Sequence, residues 1–73
     1  MDIVALKQDI IELERYRDEK NVLISNINMD NYEGEAKKFR QKDLIQWNKD
    51  VADLNERILE LKREIHEIEN EHN

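Results

Sequence analysis

The stretch LIQWNKDVADLNERILELKREIHEI, residues 44–68, decides the fold. In it Leu44, Trp47, Val51, Leu54, Ile58, Leu61, Ile65 and Ile68 recur at alternating spacings of three and four residues, filling the a and d rows of a heptad without a break. That period keeps one stripe of an α-helix against a partner helix, and the charges beside it (Asp43, Asp50, Arg57, Lys62, Glu64) are what a coiled coil sets along its flanks. The rest of the composition agrees. The chain has no Pro, a single Gly (Gly34) and 41% charged residues, and a sheet would need more turn residues than that.

Towards the N-terminus the same spacing returns at Ile3, Leu6, Ile10 and Leu13. It then falters: Arg17 and Lys20 occupy the stripe before Ile24 and Ile27 resume it, and such a polar interruption sets register at a cost in stability. Asn26, Asn28, Asp30 and Asn31 follow, whose short side chains compete for backbone hydrogen bonds and stop a helix; Asn28 suits the left-handed closing position. Asp30 with Glu33 three residues on fits a capping box, with Gly34 loosening the first turn of a new helix. The expectation is therefore all-α: one domain over residues 1–73, an antiparallel helical hairpin with a helix at about 2–27, a turn at about 28–34 and a second, coiled-coil-like helix at about 35–71.

A turn near Tyr32 predicts a register in which Ile3 faces Leu61, Leu6 faces Ile58, Ile10 faces Leu54 and Leu13 faces Val51. Asp9 then flanks Arg57, and Arg17 lies over the Trp47 ring as a cation–π pair. The register that opposes Arg17 with Arg40 and Lys20 with Lys37 is disfavoured by like charge. In the expected register the second helix outruns the first from Lys62 onward, by about 12 residues or roughly 18 Å. Ile65 and Ile68 on that overhang are then free to anchor a partner, with acidic neighbours placed where the helix dipole disfavours them.

A chain of 73 residues buries little surface by itself, and without Cys it has no disulfide to reinforce it, so association is the expected source of further stability. Apolar residues one position after the a row (Val4 and Ile11; Ile45, Ala52 and Leu59) widen each stripe beyond what one seam needs. That width predicts dimerisation of two hairpins into a four-helix bundle.

No chemistry of catalysis or metal binding emerges. The absence of Cys excludes thiolate sites, and there is no glycine-rich phosphate loop, nucleophile elbow or recognisable base and nucleophile pair. His66 and His72 are six residues apart and fall on different parts of a helix surface. Glu69 and His72 match a Glu-x-x-His spacing but lie at a helix end without further inward carboxylates. Asn26, Asn28 and Asp30 resemble the start of a calcium loop, yet Asn31 stands where Gly is required and Lys37 where Glu is required. No catalytic residue, cofactor or metal is expected, and the chain reads as no enzyme.

The net charge of -6 opposes a phosphate backbone except at Lys37, Lys38, Arg40 and Lys42, the one basic cluster, where Phe39 adds an aromatic. Glu33 and Glu35 stand at spacings that would neutralise Lys37 and Lys38, and Phe39 is expected to pack on Leu23. No apolar run approaches the roughly 20 residues that a bilayer demands, and no signal-peptide pattern opens the chain, so it reads as cytoplasmic. Richness in Ile, Asn and Lys with only three Ala hints at an AT-rich genome, such as that of a low-GC bacterium or its phage. The leading expectation is a small acidic protein–protein interaction module, a regulator, adaptor or chaperone-like factor. It would associate with itself and with another protein through Leu44, Trp47, Val51, Leu54, Ile58, Leu61, Ile65 and Ile68. The second reading is a nucleic-acid-associated regulator using the 37–42 cluster, and the third a purely structural coiled-coil segment.

Overall fold

The computed structural model describes residues 2–71. Asp2 caps the first helix, its Oδ1 accepting the Val4 N–H at 3.0 Å and so satisfying one of the donors that a helix start leaves free. Helix α1 runs Ile3–Asn26 and helix α2 runs Gly34–Glu71, and they fold back on each other as the expected antiparallel hairpin, with no strand among the described residues. The molecule is a rod of 59 × 14 × 14 Å.

The connection falls close to the expected turn at about 28–34 but is built differently. Ile27 leaves α1 in an extended conformation, and a 3-10 turn follows at Met29–Asn31. Asn28 is extended too, not left-handed, and its Oδ1 accepts the Asp30 N–H at 3.0 Å. It is Asn28 that caps, and it caps the 3-10 turn; Asp30 sits inside that turn, so the capping box over Asp30 and Glu33 does not start α2. The chain instead enters α2 through Gly34 at φ 60, the only positive φ among the described residues. Glycine reaches that region without a Cβ penalty.

Three cross-links define the register. Lys7 Nζ lies 3.7 Å from Glu69 Oε1, Arg17 Nη1 donates to Asn55 Oδ1 at 3.1 Å, and Lys20 Nζ lies 3.5 Å from Asp50 Oδ2. They place Leu6 opposite Ile65, Ile10 opposite Leu61 and Leu13 opposite Ile58, one heptad from the expected pairing. The residues between Asn26 and Gly34 climb along the first turns of α2 instead of doubling back, so α1 ends level with about Ile45. Apolar burial favours this shift. The expected register leaves Ile65 and Ile68 bare, and burying such a side chain is worth about 1.5–3 kcal/mol.

The core follows from this register: Leu6, Ile10, Ile58, Leu61 and Ile65 are buried, with Ile3, Leu13 and Ile68 packed against them. It occupies the end of the rod that holds both termini. Towards the turn the seam carries half-buried Arg17 and Lys20, and Leu44, Trp47, Val51 and Leu54 are likewise only half-buried. Among the described residues no C-terminal overhang exists to recruit a partner through Ile65 and Ile68.

Candidate interaction surface

An antiparallel pair of heptad helices brings its two e rows together on one side of the seam and its two g rows together on the other. The Lys7–Glu69 pair marks the e side, and the groove lined by Asp9, Leu13, Tyr16 and Arg57 marks the g side. The rod thus has two broad faces of unlike character.

On the e side lie both apolar ridges outside the seam, Val4 and Ile11 on α1 and Ile45, Ala52 and Leu59 on α2. Val4, Ile11, Ile45 and Leu59 stay between 54% and 71% exposed after the hairpin has closed. The b and e rows of this face hold three cations (Lys7, Lys38, Lys62) and three carboxylates (Glu14, Asp18, Glu69), so it is electrically balanced. The c and g rows on the other side hold eleven carboxylates, from Asp2 to Glu71, and one basic residue, Arg57. Lys20 and Arg40 reach over from the seam rows to Asp50 and Asp43.

The sequence-predicted interface residues are placed largely in the intrachain seam. Ile58, Leu61 and Ile65 are buried there, Ile68 packs on them, and Leu44, Trp47, Val51 and Leu54 line its half-open continuation. Arg17 does not stack on Trp47; its guanidinium is held by Asn55, Asp18 and Glu14. Arg57 pairs with Glu60 at 3.1 Å rather than with Asp9.

The basic cluster divides. Arg40 is engaged: its Nη1 donates to Asp43 Oδ2 at 3.0 Å and its guanidinium carbon sits 5.3 Å from the Tyr32 ring centroid. The Asp43 hydrogen bond, with Tyr32 assisting, pushes the Arg40 pKa above its ordinary value. Lys37, Lys38 and Lys42 form no ion pair with Glu33, Glu35 or any other carboxylate among the described residues. Phe39 does not pack on Leu23 but stands 64% exposed beside Lys38 and Lys42.

No protein-family model, curated protein or solved structure matches this chain. The functional reading therefore stands on the residues. His66 Nε2 lies 2.9 Å from Asn70 Nδ2, Glu69 is held by Lys7, and His72 lies outside the described residues. Among the described residues no three His, Asp or Glu side chains converge in a way that could hold a metal ion. No helix of the described chain is long and apolar enough to cross a membrane. The separation of a balanced, ridged face from an acidic one was available in the sequence as the contrast between the b/e and c/g rows, but it becomes a surface only once the two helices are paired.

Proposed function

We propose that this chain is a small non-enzymatic protein–protein interaction module of the cytoplasm, acting as a regulator or adaptor, that associates with a second copy of itself through its ridged face. The observation that carries this reading is the exposure of Val4, Ile11, Ile45 and Leu59 on one face of a hairpin whose seam is filled at its terminal end by Leu6, Ile10, Ile58, Leu61 and Ile65. Apolar ridges left exposed in this way, with the polar e rows between them, are surface that a partner can cover. Support also comes from size: a core of five buried side chains is small for independent stability, and burying a second face adds to it. Light scattering over a range of concentration tests the reading. A mass near twice the 8.9 kDa chain is expected, and a monomer at every concentration refutes self-association.

Lys38 and Lys42, which form no ion pair among the described residues and line a groove with exposed Phe39 and Glu35, together with unpaired Lys37 favour a second reading as a contact for single-stranded nucleic acid. Its weakness is that Arg40 is already engaged and the chain as a whole is acidic. Salt-sensitive retention of the chain on an oligonucleotide, lost in a Lys37→Glu, Lys38→Glu variant, is its signature; no retention disposes of it.

A further inference from the structure

Ile45, Ala52 and Leu59 form a second apolar row on α2, spaced by a heptad and left exposed by α1. The row is large, small, large, and it reads nearly the same in both directions about Ala52. That residue is also the midpoint of α2, which runs Gly34–Glu71. We infer that α2 packs antiparallel on α2 of a second copy about a two-fold axis at Ala52, with Ile45 of each copy against Leu59 of the other and the two Ala52 side chains in contact. This inference rests on the self-association proposed above, narrows its face to the α2 row, and adds the direction and the register.

Three observations favour a second copy as the occupant. First, an axis at Ala52 lays the two α2 helices side by side over their whole length, and small side chains at the crossing let the backbones approach.

Second, the flanking rows are self-complementary. Lys49 meets Glu56 of the other copy twice, and Asn48 meets Asn55 twice. Within the chain Asn55 Oδ1 already accepts from Arg17, which leaves its amide N–H groups to donate to Asn48. Lys42 and Arg63 meet as like charges near the ends, where both side chains reach water and solvent screens them.

Third, the charge along the rod is uneven. The terminal half, residues 2–19 and 51–71, holds thirteen acidic and six basic side chains, whereas the turn half, residues 20–50, holds five acidic and six basic. An antiparallel pair sets each acidic half beside a balanced one; a parallel pair would set acidic against acidic. The c/g face, with eleven carboxylates, cannot meet its own copy for the same reason.

Cysteine cross-linking tests the geometry cleanly, since the chain has no Cys of its own. The full chain carrying Ala52→Cys should oxidise to a covalent dimer. Ile45→Cys alone and Leu59→Cys alone should not, because an antiparallel pair holds each of them roughly 21 Å from its own copy, whereas a mixture of the two variants should cross-link. Lys49→Glu should weaken the dimer roughly tenfold, and adding Glu56→Lys should restore it. Cross-linking of Ile45→Cys or Leu59→Cys alone overturns the antiparallel direction. An Ala52→Cys chain that is dimeric by mass yet forms no covalent dimer on oxidation overturns this interface while the self-association reading survives. A chain that is monomeric at every concentration overturns both.

Discussion

Gly34 and Ile58 illustrate how differently single residues weigh in so slender a molecule. Nothing lies within 4 Å of where a Gly34 Cβ would sit, so a side chain meets no steric obstacle; the constraint is the backbone at φ 60. Gly34→Ala is expected to destabilise the hairpin by about 1–2 kcal/mol, the left-handed penalty of an L residue, measured by urea unfolding. Ile58 is 2% exposed, the most enclosed side chain of the core, and its truncation to Ala is expected to remove about 2–5 kcal/mol. Ile45→Ala, at 71% exposure, should change the stability of the isolated hairpin by less than about 0.5 kcal/mol while weakening association. Equal losses from Ile58→Ala and Ile45→Ala in dilute protein would contradict the division between seam and ridge.

At the scale of the helices, the register carries the most consequence. It makes Ile65 a core residue, so Ile65→Asp places a charge among Leu6, Ile10 and Leu61 and should unfold much of the terminal half. Circular dichroism reads this directly: retained helicity would mean that the residue is not packed within the chain. Trp47 offers a second test. In the observed register it is level with Ile24, so Ile24→Ala should shift its fluorescence and Arg17→Ala should not, since Arg17 is bound to Asn55 a heptad away. A shift on changing Arg17 would favour the tighter pairing.

Along the whole rod, eleven carboxylates share one face with little to neutralise them. Repulsion between exposed like charges is relieved as the Debye length falls from about 30 Å at 0.01 M salt to about 10 Å at 0.1 M. The melting temperature should therefore rise by a few degrees over that range, roughly 1 kcal/mol in a domain this small, and a fall would place the attractive pairs ahead of the repulsive face.

Heptad periodicity, the stop signals between the arms and the lack of Pro determined by themselves that this chain is a two-helix hairpin, because amphipathic stripes are encoded locally, residue by residue. The Asn-rich cluster at 26–31 showed in the same way where the first helix ends. The register was decided only in the tertiary structure. Pairings a heptad apart present nearly the same apolar pattern, and the choice between them depends on how far the connection past Asn26 travels and on whether Ile65 and Ile68 find Leu6 and Ile3. The same decision removed the overhang, separated Arg17 from Trp47, and set the two ridges beside the a rows on one side of the rod. A row of side chains on one helix becomes a surface only when the neighbouring helix is fixed in height and rotation, and that placement is a property of the packed pair.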